Sequence, residues 1–366
     1  MEISDRLCIW LSIAFEREAR TAKYLLERYG SAEELRSAVL SGDTDSLNLS
    51  GQRIKRMKDT ASESYIDDFI AMLDRNGVKA LTLNDPAYPP LLKEIFDPPF
   101  VLYARGAAAA KLPPMTAAVV GTRRCSDYGQ KVSFMMGQAL AAHGVTVVSG
   151  LAYGCDSYAH EGALSVETAD YPTIAVLGQG VLEDKKDCTR KTMEKILERG
   201  MVVSEYLPHS KVFSGSFPMR NRIISGICPA TLVAEAGQKS GTMITVDCAI
   251  EQGRSVFAVP GRITDNLNSG TNLMLQKGYA QPVYSTEDLI NQLGLDFKSQ
   301  DEEDQLEKIT DRCQRKLYLI LQKGERSFDS LLESTGLSVE ELNMHLTDLE
   351  FSGLIKQLPG RFYAIA

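Results

Sequence analysis

The chain has 366 residues, a formal net charge of −8, 44% hydrophobic and 24% charged residues, an ordinary globular composition with room for two or three domains that excludes a mainly disordered chain. No run approaches the roughly 18 apolar residues of a membrane span, and the start MEISDRLCIWLSIAFERE lacks the basic-then-apolar order of a secretion signal, so a cytoplasmic protein with no membrane partner is expected. Seven cysteines stand apart at positions 8, 125, 155, 188, 228, 248 and 313, without a close pair that suggests zinc or a redox dithiol. They are expected to be reduced and mostly buried, with no metal and no cofactor.

Residues 1 to about 80 read as short amphipathic helices, with turns at Tyr29-Gly30-Ser31 and Leu49-Ser50-Gly51. The Pro-rich segment from Asp85 to Gly106 reads as extended and leads into the core. From Ala117 to Val283 strands and helices alternate, which predicts an α/β fold with a Rossmann-like, mostly parallel sheet covered on both faces. Ala117 to Val120 reads as a buried strand, Gly121 as a tight turn, and Asp127 as the cap of a helix continuing through His143. Thr122, Arg123 and Arg124 then lie just beyond the carboxyl end of a strand, where open α/β sheets bind ligands. A second such junction follows Val145 to Ser149, where Gly150 and Gly154 permit a compact turn. Asp156 and His160, in the next helix, are expected to hold that turn by hydrogen bonds, since no nucleophile accompanies them.

The most informative stretch joins an Arg220-Asn221-Arg222 turn to an apolar strand ending with Val233 to Ala236, and then to a helix opened by Ser240-Gly241-Thr242. First-turn amides lack internal partners, Gly241 admits a phosphate close to the backbone, and Lys239 and Arg220 add charge, so anions belong there. Read alone, Ser240 or Thr242 simply caps the helix; cations recurring beside glycine turns at Arg123, Arg220, Arg222 and Lys239 favour a shared anion track. The net charge does not oppose this, because residues 113 to 260 carry 14 Lys+Arg against 14 Asp+Glu, while residues 261 to 366 carry 11 against 17. An acidic stretch from Asp296 to Glu307 reads as a linker. Beyond it, helices at 312 to 322, Phe328 to Ser334 and Ser338 to Phe351 precede a hairpin turning at Pro359-Gly360, which suggests a winged helix. Its third helix is acidic, so protein interaction or packing suits it better than reading duplex DNA.

The motifs VVGTRRCSDYG, VVSGLAYGCDSYAHEGAL, FPMRNRIISG, VAEAGQKSGTMIT and VFAVPGRI, in this order within residues 85 to 290, resemble the DprA/Smf family of DNA-processing proteins. The resemblance implies a Rossmann-like core that binds single-stranded DNA, forms a homodimer and loads the RecA recombinase during natural transformation. It implies domains at 1–80 (sterile-alpha-motif-like or helix-hairpin-helix), 85–292 (core) and 309–366 (winged helix), joined by a linker at 293–308. The nucleic-acid contacts expected are Gly121, Thr122, Arg123, Ser149, Gly150, Phe217, Arg220, Asn221, Arg222, Lys239, Ser240, Gly241 and Thr242, with Phe217 stacking on a base. Two loops depart from the family pattern, GQGVLEDKKDCTRK from Gly178 to Lys191 and SEYLPHSKVFSGSFP from Ser204 to Pro218, and Cys155 replaces a common Ile. The alternative is a nucleotide-processing enzyme like the lysine-decarboxylase-like phosphoribohydrolases. Against it, SGTMITVDCAIE has no acid before Asp247 and no preceding Gly-Gly pair, and the chain has neither a P-loop nor a GxGxxG fingerprint after the first core strand. A non-enzymatic protein is expected.

Overall fold

Short runs such as TAAVV, TVVS and ATLV carry no charged residue, and their only polar groups are Thr and Ser hydroxyls that can bond locally, so they suit a place between two covering layers. Each is buried along its whole length. The computed structural model describes residues 2–16, 18–43, 47, 49–109, 113–184, 188–295, 309, 311–321 and 324–365, in two units, 1–295 and 296–366. The acidic stretch read as a linker, Asp296 to Glu307, lies outside the described residues.

The first unit holds β1 (Val78–Thr82), β2 (Val101–Arg105), β3 (Thr116–Val120), β4 (Thr146–Ser149), β5 (Thr173–Val176), β6 (Met201–Ser204), β7 (Ala230–Val233), β8 (Ser255–Ala258) and β9 (Gln281–Pro282). They form one sheet in the order β1-β2-β6-β5-β4-β3-β7-β8-β9. Pairing is parallel from β6 through β9, while β2 runs antiparallel to both β1 and β6. The fold is thus a Rossmann-like, mostly parallel α/β sheet. From β3 the chain winds one way through β4, β5 and β6 and then returns to place β7 and β8 on the other side. The strand order reverses between β3 and β7, and that reversal opens a crevice at the carboxyl ends of these strands.

Five helices precede the sheet, α1 (Ile3–Ala14), α2 (Ala19–Tyr29), α3 (Ala32–Ser41), α4 (Gly51–Thr60) and α5 (Glu63–Arg75). Trp10, Leu25, Leu35, Ile66 and Leu73 from these helices share one apolar cluster with Tyr103, Ala175, Leu177 and Val202 of the sheet region. The hydroxyls of Ser12 and Tyr103 are 2.6 Å apart across that contact. The opposite face packs under α10 (Ser216–Ile227) and α11 (Thr242–Glu251), through Ile223, Ile224, Val246 and Ala249. The Pro-rich segment is not simply extended. It contains α6 (Pro90–Lys93) and all of β2, and α7 (Asp127–Ala142), α8 (Cys155–Leu164) and α9 (Arg190–Arg199) come later along the chain, before α10.

Three local expectations need correction. Ser126, not Asp127, caps α7 (Asp127–Ala142), its hydroxyl accepting from the Gly129 N–H at 3.1 Å. Arg220-Asn221-Arg222 is not a turn but lies within α10, and Pro218 sits in that helix's first turn, where a missing N–H costs no helical bond. The strand before the Ser-Gly-Thr segment ends at Val233, and Ala234 to Ala236 already belong to the loop.

The second unit contains helices at Arg312–Leu321, Phe328–Thr335 and Val339–Phe351 and a hairpin of β11 (Ile355–Leu358) and β12 (Phe362–Ile365), extended by the short β10 (Arg326–Ser327). Ser338 and Glu341 form the expected capping box. Leu317, Leu331, Leu342, Leu346 and Tyr363 make its own apolar core, the arrangement of a winged helix.

Candidate nucleic-acid interface

At the crevice between β3 and β7 lies a cleft of about 560 Å³. Gly121, Thr122, Arg123 and Arg124 line it from the loop after β3; Phe217, Pro218, Arg220 and Asn221 from α10; and Ser240, Gly241 and Thr242 from the start of α11. Nine of the thirteen residues singled out in the sequence therefore meet in one cleft, and Ser149, Gly150, Arg222 and Lys239 do not line it. Arg123, Arg124 and Lys239 are exposed. The Arg123 guanidinium stands 5.0 Å from the centre of the Phe217 ring, so the cationic rim and the aromatic candidate touch.

The remaining charges are arranged differently from the sequence expectation. Arg220 is only 3% exposed. It donates to the carbonyls of Gly150, at 2.7 Å, and of Val176, and its Nε donates to Asn221 Oδ1 at 3.2 Å. Burial pushes its pKa down to about 10 against the attraction of Asp156. The Asp156 carboxyl is raised by burial, opposed chiefly by Arg220, and accepts the Gly150 N–H at 3.2 Å. This pair ties the turn after β4 to α10, as Asp156 was expected to do for its own turn. A Cβ at Gly150 would lie 2.5 Å from the Arg220 guanidinium, which leaves no side chain room there. His160 Nδ1 is 2.6 Å from the Thr173 hydroxyl, also a structural contact. Arg222 is paired inside the protein, at 2.5 Å from Glu205 and 3.7 Å from Asp97. Ser149 is buried and donates its hydroxyl to the Val119 carbonyl at 2.6 Å, joining β4 to β3.

The helix start also differs from an open row of amides. Thr242 N–H donates to Ser240 Oγ, Met243 N–H to the Ser240 carbonyl and Ile244 N–H to the Gly241 carbonyl. A tight first turn satisfies these donors internally, as helix ends often do. What faces the cleft is the hydroxyl pair of Ser240 and Thr242, 2.9 Å apart.

Glu235 was not among the residues singled out, although an acid between Ala234 and Ala236 after a buried strand is a readable anomaly. It is completely buried. Its carboxylate accepts from Ser126 N–H at 2.8 Å, from the Ser126 hydroxyl at 2.6 Å and from Asn268 Nδ2 at 3.5 Å, while its carbonyl accepts from Thr122 N–H at 2.8 Å. One residue after β7 thus clamps both ends of the loop that carries Arg123 and Arg124. It thereby ties the loop after β7, which leads on to Lys239, to the loop that carries Arg123 and Arg124.

The two divergent loops prove to be neighbours. Gly180 N–H donates to the Ser210 carbonyl and Leu182 N–H to the Pro208 carbonyl, each at 2.8 Å, and a Cβ at Gly178 would lie 2.9 Å from the Phe217 ring. The described parts of both loops meet beside Phe217, and residues 185–187 lie outside the described residues. The cysteines are less separate and less buried than expected. Cys8, Cys155 and Cys228 are buried, Cys188 is exposed, and the rest are intermediate. The Cys125 and Cys155 thiols are hydrogen-bonded beside the cleft loop; this contact lowers the pKa of Cys125 and, with burial, raises that of Cys155.

These features define a class: an open, doubly wound α/β protein with a cation-rimmed cleft at its switch point, whose chain also carries a winged-helix unit. The family model described as DNA recombination-mediator protein A matches residues 79–294, and that of the DprA winged helix domain matches residues 301–361. The DNA processing protein DprA of Streptococcus pneumoniae is 38% identical over 226 residues, 62% of this chain and 78% of that protein. The X-ray structure of DNA processing protein A from Streptococcus pneumoniae matches with a TM-score of 0.66 and 29% identity, covering 82% of this chain and 100% of that one. The corresponding protein of Helicobacter pylori, described for its unique single-stranded DNA binding mode, matches with a TM-score of 0.53 and 28% identity, covering 59% of this chain and 95% of that one. The chain belongs to the DprA/Smf family of DNA-processing proteins. Among the described residues, no helix is long and apolar enough to cross a membrane.

Proposed function

We propose that this chain binds single-stranded DNA in the cleft between β3 and β7, protects incoming strands and passes them to the RecA recombinase in natural transformation, acting in the cytoplasm as a homodimer without chemistry of its own. The observation that carries the reading is the convergence of Arg123, Arg124, Phe217, Ser240 and Thr242 on one open cleft, with Lys239 exposed beside Ser240. Cations follow a phosphate backbone, and an aromatic face accepts any base, which together suit a strand of arbitrary sequence. The single-strand binding described for the Helicobacter pylori relative supports the substrate. Family membership supports the recombination role and, through the resemblance, RecA and the dimer.

The contact set we assign comprises Gly121, Thr122, Arg123, Arg124, Phe217, Asn221, Lys239, Ser240, Gly241 and Thr242. Arg220, Ser149 and Gly150 act from below as the scaffold of the cleft floor, and Arg222 is left out because its charge is neutralised by Glu205. We assign binding to the unit of residues 1–295 and partner contact or packing to the winged helix. Titration of the full chain with fluorescent single strand, duplex and nucleoside monophosphates tests the reading. Preference for the single strand and no release of free base are expected; base release abolished by a cleft substitution would favour a phosphoribohydrolase.

A further inference from the structure

A cluster of donors lies apart from the cleft, in the winged-helix unit. Asp311, Cys313 and His345 each offer one ligand atom, all within 4.8 Å of one another. Asp311 stands just before the helix Arg312–Leu321, where its Oδ1 accepts from the N–H groups of Cys313 at 2.8 Å and Gln314 at 2.9 Å. Capping therefore fixes the carboxylate and holds Cys313 in the first turn beside it. His345 comes from the middle of the helix Val339–Phe351 and is only 9% exposed. Its Nδ1 is sealed from solvent and has no hydrogen-bond partner among the described residues. The facing oxygen, Asp311 Oδ1, is 3.8 Å away, too far for a hydrogen bond. Buried polar atoms are nearly always satisfied, so an imidazole nitrogen that faces a carboxylate beyond hydrogen-bond reach, in a cluster that also holds a thiol, calls for a missing partner.

We infer that Asp311, Cys313 and His345 bind a divalent transition-metal ion, for which zinc is the best match. A thiolate, an imidazole and a carboxylate form a borderline-soft donor set, which disfavours magnesium and calcium and suits tetrahedral zinc with water in the fourth position. Zinc bonds of about 2.0–2.3 Å need donors roughly 3.5 Å apart, a contraction that the Cys313 side chain and Asp311 Oδ2, the oxygen that makes neither capping bond, can supply. Glu341, one turn before His345 on the same helix, and Asp348, which accepts from Gln314 Nε2 at 3.2 Å, add negative charge around the position. On binding, the Cys313 thiol releases its proton to solvent and its sulfur enters as thiolate. The ion would fasten the first helix of the unit to the third.

The test uses the full chain, stripped with a chelator and dialysed, and compares the parent with Cys313→Ser and with Asp311→Asn, whose side-chain oxygen can still cap the helix. Zinc uptake, the thiolate-to-cobalt charge-transfer absorption on cobalt substitution, and thermal melting with and without zinc are measured. The parent should take up one more equivalent than Cys313→Ser, show the cobalt–thiolate band that this variant lacks, and melt higher with zinc, a shift lost in both variants. Equal uptake and equal cobalt spectra in parent and Cys313→Ser, or melting indifferent to zinc in all three, would overturn the assignment and leave a simple His345–Asp311 ion pair.

Discussion

The salt dependence of binding distinguishes cations that face the strand from those that only look available in the sequence. Arg123, Arg124 and Lys239 are exposed, whereas Arg220 is enclosed beside Asp156 and Arg222 is paired with Glu205 and Asp97. Each phosphate neutralised on a single strand contributes about −0.7 to the slope of log K against log salt, so three contacts set a slope of about −2. Over a fourfold rise in salt each contact then accounts for a factor of about 2.6 in the binding constant. Arg123→Ala and Lys239→Ala should each flatten the slope to about −1.4. Arg222→Ala should leave the slope unchanged and instead lower stability by about 3–5 kcal/mol, since it strands Glu205 as a buried charge without its partner. The assay is fluorescence anisotropy with labelled oligothymidylate at several salt concentrations, with urea unfolding run in parallel. A slope that flattens in Arg222→Ala but not in Arg123→Ala or Lys239→Ala would refute the reasoning.

Other outcomes follow from the same geometry. Glu235→Ala removes the carboxylate that holds Ser126 and should cost about 3–6 kcal/mol in denaturant unfolding, from two hydrogen bonds to a charged group, and weaken strand binding; unchanged stability would contradict the clamp. Phe217→Ala should weaken binding by about 1–3 kcal/mol at every salt concentration if the ring stacks on a base, with the slope preserved; a changed slope would show that the ring serves only to support Arg123. A chain truncated after Leu295 should keep its affinity for single strands, and a loss reproduced by binding to the isolated 309–366 segment would move the site to the winged helix. Glu63 is held below the ordinary glutamate range first by the hydrogen bond from Arg36 and then by that from Arg6. Its contribution to stability is therefore complete above that ordinary range and lost as pH falls through the depressed value. Glu63→Gln should destabilise the protein near neutrality and converge with the parent in acid, whereas a constant difference across pH would contradict the assignment.

The parallel core, the β-strand ends carrying Arg123 and Lys239, and the C-terminal winged helix were legible because period, buried runs and turn residues are local signals. What escaped was set by distant partners. Nothing near Arg222 announces that Glu205 and Asp97 will neutralise it, and Arg220 looks like a free cation until the turn after β4 folds over it. The Arg-Asn-Arg segment was misread as a turn although Pro218 in a first helical turn is itself a helix-start signal. The amides at Thr242 to Ile244 looked available because the tight first turn that satisfies them depends on backbone geometry, which composition does not encode. Glu235 stands out as an acid after an apolar strand, but its role depends on Ser126 and Asn268, which lie far from it in the chain.

The central claim is that the strand lies across the switch point between β3 and β7. Hydrogen–deuterium exchange of the full chain with and without oligothymidylate tests it most directly, because bound segments exchange more slowly. Protection is expected in peptides covering residues 121–126, 215–221 and 238–244, with residues 311–365 unaffected. Protection confined to residues 311–365, with the cleft peptides exchanging as in the free protein, would contradict the account.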